Sequence, residues 1–407
     1  MEAASLKQLL SPEGRRDPFA YYAELHRRGP ALRLDGADGY DVLVHGYDAV
    51  NQALRDPLLQ MQDAPYLDRA SPRWRRHTAL VRLKDSIFFT NGEDHARVRR
   101  LFGQVFTPRR VTALEPAIAA MTTPLLDRIA ELGAGGAPVN FMSEFAFPLP
   151  SNVVGELLGV PEQDRAWFRP RVLAIGAILE LDGINWASMT AANKAAVELT
   201  DYFVELAAKR RFDPRDDLIS ALLQVQAAGG DQLSDAELLG NLITVFNAGF
   251  VTTTHMFGHG LALLLTHPDL LAELRARPAF TSSYLEEVLR FESPAPFGMR
   301  WAVADTEAGG LPIPQGSTVL LALGAANRDP SPYPDPDVFD PTRQGPQPLH
   351  FGAGPHYCLG AALTRAEGQV ALPMLVDRFP RLSLAGPLAE PQSLTFRGYE
   401  HLPITVE

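Results

Sequence analysis

The sequence contains one cysteine, Cys358, in 407 residues. A disulfide within the chain is therefore impossible, and nothing indicates an oxidising compartment. Uncharged apolar runs of about 18 residues, the length of a transmembrane helix, are missing as well. The first 30 residues carry charges where a signal peptide would have its apolar segment. We therefore expect a cytoplasmic protein without a membrane anchor.

Basic residues are fewer than acidic ones, with 37 Lys and Arg against 48 Asp and Glu. The formal net charge is −11 at pH 7, and lysine occurs only at positions 7, 84, 194 and 209. Proteins that bind nucleic acids usually present a basic surface. The charge balance therefore argues against a nucleic-acid partner.

Linkers and repeats are also missing. No Gly/Ser-rich segment, block of like charge or fixed-period repeat divides the chain, and 46% of its residues are hydrophobic. A chain of this length and composition can bury a large core. We therefore expect a monomer with one domain over residues 1–407.

The single cysteine lies in a segment that contains glycine and proline, residues 351–360. Glycine permits positive φ and proline removes a backbone donor, so this segment is a shaped loop. The apolar residues that follow recur at helical spacing, which predicts a helix over residues 359–379. A helix N-terminus lowers the pKa of a nearby thiol and favours the thiolate, the form that binds metals. Cys358 is therefore a candidate metal ligand.

A lone cysteine is more often a small buried hydrophobe. The residues around Cys358 favour the other interpretation, because Phe351-Gly352-x-Gly354-x-His356-x-Cys358-x-Gly360 resembles the haem-ligand loop of the cytochrome P450 family. The resemblance implies that the Cys358 thiolate is the proximal ligand of haem iron. It also implies that Phe351, Gly352 and His356 contact the haem.

The resemblance implies a fold and a set of partners. The fold is mainly α with small β-sheets (α+β), with a small β-rich part at about residues 1–60 and a long central helix over the haem. The cofactor is haem b, and O2 is a co-substrate. No flavin or nicotinamide domain fits in the chain, so electrons come from NAD(P)H through external partners, a ferredoxin and a ferredoxin reductase.

Apolar periodicity and turn residues predict most of the secondary structure. Helices are expected at residues 17–28, 47–56, 91–102, 111–132, 151–158, 234–265 and 284–291, and strands at 31–34, 40–44, near 139–141 and within 302–319. Residues 57–90 read as a long loop, which in the P450 family covers the substrate cavity. Residues 168–195 form a variable amphipathic region, where the family has a pair of helices. Residues 393–400 are expected to form a hairpin.

His95 and Arg99 are four residues apart and share one face of the helix at 91–102. Alone, this pattern is more typical of a solvated basic face. In the P450 family, a His-x-x-x-Arg helix binds the haem propionates, and Arg300 matches a second propionate-binding arginine. The nearby arginines 97, 100, 109 and 110 form a basic patch that we expect to contact an acidic ferredoxin.

The long helix at 234–265 has an unusual centre, because glycine and three threonines stand where alanine or leucine would stabilise a helix better. A buried helix that tolerates a glycine is the simpler interpretation. In the P450 family this segment crosses the distal haem face, and Ala248, Gly249 and Thr252 match its catalytic residues. Val251 stands where the family usually has an acid, and valine cannot carry protons.

The resemblance also suggests substrate contacts, which are predicted at Phe88, Phe89, Val245, Val251, Phe297, Met299 and Phe396. For residues 87–89 an equally good alternative is that they pack the loop onto the core. Glu287, Arg290 and Arg343 are expected to form a buried network near the haem, as in the family.

The leading hypothesis is a haem-thiolate monooxygenase. It would insert one oxygen atom from O2 into an apolar or amphipathic small molecule, as a tailoring step in specialised-metabolite biosynthesis. Val251 leaves open an atypical haem-thiolate oxidation, such as coupling, desaturation or peroxide-driven turnover. A non-catalytic haem or ligand-binding protein is a further alternative, which the retained Thr252 disfavours. A cysteine-nucleophile enzyme is a poor match, because His356 is near Cys358 only in sequence.

Overall fold

The computed structural model describes residues 5–181, 185–227, 233–388 and 393–406. Its helices are α1 (Lys7–Leu10), α2 (Pro12–Arg16), α3 (Phe19–Arg27), α4 (Tyr47–Ala53), α5 (Ala64–Ala70), α6 (Thr78–Lys84), α7 (Gly92–Val105), α8 (Pro108–Leu132), α9 (Pro148–Leu158), α10 (Glu162–Gly176), α11 (Trp186–Phe212), α12 (Leu218–Ala227), α13 (Asp235–Thr266), α14 (Pro268–Ala276), α15 (Thr281–Phe291), α16 (Leu323–Ala326) and α17 (Ala361–Arg378).

The strands are short. They are β1 (Ala31–Arg33), β2 (Val42–Val44), β3 (Leu59–Gln60), β4 (Val139–Asn140), β5 (Gly298–Ala302), β6 (Thr306–Ala308), β7 (Leu311–Ile313), β8 (Thr318–Leu321), β9 (Ser383–Leu384) and β10 (Pro403–Thr405). The predicted fold class, mainly α with small β-sheets, is confirmed.

The chain divides into two compact units. The first comprises residues 1–60, 118–149 and 252–407, and the second comprises residues 61–117 and 150–251. Every strand named above lies in the first unit, whereas the regular structure of the second unit, within its described residues, is helical. The expectation of one domain over residues 1–407 stays a prediction.

A five-stranded sheet organises the first unit, with strand order β1-β2-β8-β5-β3. Its centre is β8, which pairs parallel with β2 and antiparallel with β5, so that Val319 faces Val42 on one side and Arg300 on the other. Valine and leucine suit these central strands, because their side chains pack on both buried faces. The apolar cluster beneath the sheet includes Leu349 and Ala353. The sheet core therefore anchors the segment that leads to Cys358.

Most predicted elements are confirmed, with ends shifted by a few residues. The long helix predicted at 234–265 is α13, and its capping box is present. The Ser234 N–H donates to Glu237 Oε2 (2.7 Å), and the Glu237 N–H donates to Ser234 Oγ (3.2 Å). The pair of helices implied for residues 168–195 is also found, as the end of α10 and the start of α11.

Two predictions of local structure were wrong. Residues 57–90 contain the helices α5 and α6 rather than one long loop. Pro65 stands in the first turn of α5, where proline needs no hydrogen-bond donor. Asp63 caps this helix by accepting from the Tyr66 N–H (3.2 Å). Residues 393–400 contain no strand. There, the Arg397 guanidinium donates to the carbonyls of Arg15 and Arg16, so side-chain contacts hold the segment in place of a strand ladder.

The predicted network of Glu287, Arg290 and Arg343 is present in the first unit. Arg290 and Glu287 are 1% and 5% exposed and form two parallel hydrogen bonds of 2.7 Å. Arg290 also donates to the carbonyls of Asn327 (2.9 Å) and Pro336 (3.0 Å), and Arg343 Nε lies 3.5 Å from Glu287 Oε1. The network ties α15 to the segment that precedes the cysteine loop.

Across the described residues, no helix combines the length and apolar character needed to cross a bilayer.

Candidate active site

The cysteine loop consists of two short turns, Leu349–Phe351 and Gly354–His356. Gly352 and Gly354 have φ values of 71° and 69°, which other residues adopt only with strain. The loop closes where the Cys358 N–H donates to the carbonyl of Phe351 (2.9 Å). Cys358 is half-buried and lies just before Ala361, the first residue of α17. The predicted position at a loop-to-helix junction is confirmed.

The cysteine loop packs closely against the backbone at Leu54. A Cβ at Gly354 would lie 2.7 Å from the carbonyl oxygen of Leu54, so no side chain fits there. The amide of Asn327 accepts from the Leu349 N–H (2.6 Å) and donates to the Ser293 hydroxyl (3.0 Å). These contacts hold the Cys358 backbone in one position, as a metal ligand requires.

Arg300, in β5, is a buried cation. It is 5% exposed, and Nη1 donates to the carbonyl of Met299 (2.8 Å). Burial lowers its pKa to about 10, so it still carries its charge near neutral pH. In the described part of the chain, no carboxylate pairs with it. A buried charge is stable only when it is paired, so this arginine is suited to an anionic ligand.

The donor set therefore fits a haem. A thiolate from Cys358 suits iron, and the charge on Arg300 suits a propionate carboxylate. His356 is half-buried at the end of the second turn of the loop, where it is a further candidate for a propionate. When bound, the haem supplies the activation of dioxygen.

The second unit holds the other predicted propionate ligands, His95 and Arg99 on α7. His95 is 4% exposed, and burial together with the neighbouring Arg99 charge lowers its pKa to about 4. Its imidazole is therefore neutral near pH 7 and suited to a hydrogen bond, whereas the Arg99 guanidinium is suited to pairing with an anion. The sequence did not distinguish these two roles.

Helix α13 carries the predicted distal residues. Most of its central side chains are buried, but Val245, Ala248, Gly249 and Thr252 are half-buried or exposed and recur at three- and four-residue steps. They form one face, called the open face below. Val251 is 5% exposed, and at about 100° per residue it lies outside this face. The valine therefore packs inside the protein, whereas Ala248 and Thr252 are accessible.

Two residues beside the open face form hydrogen bonds, and one residue on it packs against another helix. Asn247 Nδ2 donates to the carbonyl of Val172 (2.9 Å), and Thr253 Oγ1 lies 3.3 Å from Thr364 Oγ1. A Cβ at Gly249 would lie 2.8 Å from a methyl group of Val154, so glycine is required there for α9 to pack. Asn247 and Thr253 are buried and lie off the open face, whereas Thr252 lies on it.

The predicted substrate residues lie in different environments. Phe88 is 46% exposed, whereas Phe89 is buried with the ammonium group of Lys84 3.6 Å from its ring centre. Phe89 thus packs its segment onto the second unit, as the alternative interpretation proposed. In the first unit, Phe297, Met299 and Phe396 are half-buried.

Sequence reasoning missed several polar groups next to the loop. Arg365 forms an ion pair with Glu286 (2.6 Å) and covers the ring of Phe351 at 4.6 Å. Glu367 is fully buried on α17. A signal was available for this residue, because Glu367 interrupts the apolar face predicted for residues 359–379.

The helical fold and the position of Cys358 between a glycine-containing loop and a helix are those expected of a haem-thiolate protein. The family model of cytochrome P450 matches residues 166–277 and 278–387. The 6-deoxyerythronolide B hydroxylase of Saccharopolyspora erythraea is 38% identical and covers 96% of both chains. The chain belongs to the cytochrome P450 family.

Other relatives agree over nearly the full length. The vitamin D(3) 25-hydroxylase of Pseudonocardia autotrophica is 37% identical over 96% of this chain and 94% of its own. The crystal structure of P450BioI in complex with an acyl carrier protein ligated to hexadec-9Z-enoic acid has a TM-score of 0.89, 34% identity, and coverage of 97% of this chain and 100% of that one. The chain is therefore an oxidoreductase of the P450 monooxygenase type, and its family uses haem and O2.

Proposed function

We propose that this enzyme inserts one oxygen atom from O2 into an apolar or amphipathic small molecule, as a tailoring step in specialised-metabolite biosynthesis. The observation that carries the proposal is the accessible Thr252 on the open face of α13, in a chain whose Cys358 loop suits a thiolate-bound haem. The name of the 38% identical hydroxylase, which acts on 6-deoxyerythronolide B, supports this substrate class.

The roles of the chain's own residues follow from their chemistry. Cys358 would hold the haem iron through its thiolate, an electron-rich ligand. Arg300, His356, His95 and Arg99 bind the propionates and orient the cofactor. Thr252 would present its hydroxyl on the open face of α13, where it would donate a hydrogen bond and pass on a proton, while the buried Val251 would limit the entry of bulk water.

The proposal is tested by finding a substrate and tracing its oxygen. Compounds named with relatives form the first panel: 6-deoxyerythronolide B, vitamin D(3), myristic acid and testosterone. A shift of the Soret band identifies a ligand, and turnover under isotopically labelled dioxygen should then place one labelled atom in the product. A product without label would support the atypical oxidations instead. No product from any bound compound would favour a non-catalytic ligand-binding protein.

The atypical alternative has one observation in its favour, because Val251 stands in the acid position. A structural relative with 34% identity and a TM-score of 0.87 is described as the enzyme for C–S bond formation in chuangxinmycin biosynthesis. Peroxide-supported turnover separates the two cases. An enzyme whose peroxide-driven rate exceeds its NADPH-driven rate would belong to the atypical class.

Thr252→Ala is expected to uncouple the reaction, since alanine cannot hold the hydrogen bond that delivers the proton. The yield of product per NADPH should fall about 10-fold or more, with the missing electrons recovered as hydrogen peroxide. Thr252→Ser keeps the hydroxyl and should retain most of the coupling. Unchanged coupling in the alanine variant would remove the role assigned to Thr252.

We further propose that an acidic ferredoxin docks on the arginines of α7 and α8. Of the four predicted residues, Arg100 and Arg109 are exposed. Arg97 and Arg110 are partly buried and form ion pairs with Glu237 and Asp216. The exposed arginines are therefore better suited to a partner.

Reversing the charge of Arg100 and Arg109 together is expected to slow reduction by ferredoxin about 10-fold at low salt and to weaken its salt dependence, because the charges steer association. Stopped-flow reduction over a range of ionic strength measures both effects. Arg211→Glu, at an exposed position of α11, is the control. Equal rates in the control and the double variant would remove this docking site.

A further inference from the structure

A cavity of about 390 Å³ adjoins the cysteine loop within the first unit. It is called the Arg55 cavity below, and its walls come from α4, Arg55, residues 347–349, residues 352–354 and Tyr357. Pockets for small molecules usually have volumes of about 300–1,000 Å³. The cavity is therefore large enough for a small organic ligand.

Arg55 is the only charged side chain among the described residues that line the cavity. Its Nε donates to Asn51 Oδ1 (3.2 Å), and its aliphatic part packs on the cysteine loop, where a Cβ at Gly354 would lie 3.1 Å from Arg55 Cγ. Its two terminal nitrogens have no hydrogen-bond partner in the part of the chain that the structure describes. The guanidinium is therefore held in place, with two donor groups left for a ligand.

Two further side chains in the lining can donate. Asn51 uses its carbonyl oxygen for Arg55, which leaves its amide N–H groups for a ligand. The Tyr357 hydroxyl oxygen accepts from Gln347 Nε2 and Arg365 Nη1 (both 3.4 Å), so its own proton remains available. An arginine fork beside neutral donors suits an anion.

The rest of the lining favours an organic anion. Leu349 and Ala353 are 3% and 4% exposed and belong to the apolar cluster beneath the sheet, and Pro348 adds a further apolar ring. Inorganic phosphate could not use these surfaces, whereas the hydrocarbon body of a carboxylate could. The formal net charge of −11 gives the protein no general attraction for anions, so binding depends on these local groups.

We propose that the Arg55 cavity binds a small organic carboxylate, and that the terminal nitrogens of Arg55 form two parallel hydrogen bonds with it. Asn51 and Tyr357 complete the site by donating to the same carboxylate. The site does not depend on the proposed function, because no catalytic role has been given to any of these residues.

The cavity also connects the ligand with the cysteine. Its wall at residues 352–354 lies between Phe351 and Cys358, whose backbones are joined by a hydrogen bond of 2.9 Å. A bound carboxylate adds negative charge beside this loop and so disfavours the addition of an electron to the protein. By linkage, the carboxylate binds the reduced protein more weakly, by the same factor that the reduction equilibrium changes. The site thus regulates reduction.

Calorimetric titration of the holoenzyme with benzoate and with benzamide tests the site. The two probes share a ring, but only benzoate is charged, so benzoate should bind about 10-fold or more tightly. Arg55→Gln should remove this preference, and Arg55→Lys should keep part of it, because lysine retains the charge without the fork. Arg33→Gln is the control and should bind benzoate like the wild type, since Arg33 is an exposed arginine of β1 that donates to the Pro312 carbonyl (2.9 Å).

Spectroelectrochemical titration tests the connection with Cys358. Saturating benzoate should shift the midpoint potential to a more negative value in the wild type and in Arg33→Gln, but not in Arg55→Gln. A midpoint potential that does not change while benzoate is bound would overturn the regulatory role.

Equal affinities of the wild type for benzoate and benzamide, or equal affinities of the wild type and Arg55→Gln for benzoate, would overturn the carboxylate site. Tighter binding of inorganic phosphate than of benzoate would contradict the organic ligand class. If the wild type binds neither anion and Arg55→Gln slows reduction by ferredoxin, the small-molecule site is wrong and Arg55 belongs to a protein docking surface. None of these measurements needs a substrate, so they remain valid if no oxygen insertion is found.

Discussion

Cys358→Ser is expected to abolish the strongly red-shifted Soret band of the reduced, carbon monoxide-bound protein and to reduce turnover to background. A serine hydroxyl is a harder and less electron-rich ligand than a thiolate, so it would not supply the electron density that the reaction of a haem-thiolate enzyme needs. The backbone contact from the Cys358 N–H to the Phe351 carbonyl (2.9 Å) does not involve the side chain. The loop should therefore keep its shape while the ligand changes.

Difference spectra of reduced protein with and without carbon monoxide measure this effect. Tyr357→Phe is a suitable control in the same loop, since it removes only a hydroxyl that lies 3.4 Å from the side chains of Gln347 and Arg365. It should leave the band in place. Haem content and circular dichroism show whether the serine variant is folded. A folded serine variant with an unchanged band would mean that another residue ligates the iron, and the assignment of Cys358 would be wrong.

Arg290→Met is expected to destabilise the protein by about 3–5 kcal/mol and to lower its haem content. Arg290 is 1% exposed and shares two hydrogen bonds of 2.7 Å with Glu287. Without the guanidinium, Glu287 would be a buried carboxylate with a weaker partner, because Arg343 Nε is 3.5 Å away. The backbone carbonyls of Asn327 and Pro336 would also lose their donor.

Urea unfolding followed by circular dichroism gives this free energy, provided that the transition is two-state. The chain contains a matched control in the exposed pair of Glu273 and Arg277, where Arg277 is 67% exposed. Arg277→Met should cost no more than about 0.5 kcal/mol, because solvent screens an exposed helical ion pair. Similar losses at Arg290 and Arg277 would contradict the importance given to the buried network.

Turns and helix ends were predicted correctly where the residues that determine them lie within one short segment. The turn before Cys358 could be recognised because Gly352 and Gly354 are required by positive φ, whatever packs around them. The start of α13 was predicted because the capping box of Ser234 and Glu237 is a contact within four residues. The ends of these elements therefore follow from short-range chemistry.

The prediction of a loop at residues 57–90 was wrong because its prolines were interpreted as loop residues. A proline at the start of a helix and a proline in a loop look alike in sequence, and the cap from Asp63 to the Tyr66 N–H decides between them. The supposed hairpin at 393–400 failed for a different reason. Its partner groups, the carbonyls of Arg15 and Arg16, are distant in the chain.

The amino-acid pattern alone was sufficient to predict the thiolate ligand, the distal threonine and the missing acid at Val251, because each belongs to a short motif whose chemistry is contained in a few neighbouring residues. The charge state and burial of the ionisable side chains, by contrast, could be determined only from the folded chain. Among the described residues, no carboxylate pairs with Arg300 and no group forms a hydrogen bond with the Glu367 carboxylate, and burial lowers the pKa of His95, because distant segments enclose all three side chains. Burial depends on contacts between residues far apart in sequence, and these contacts do not appear in any local pattern.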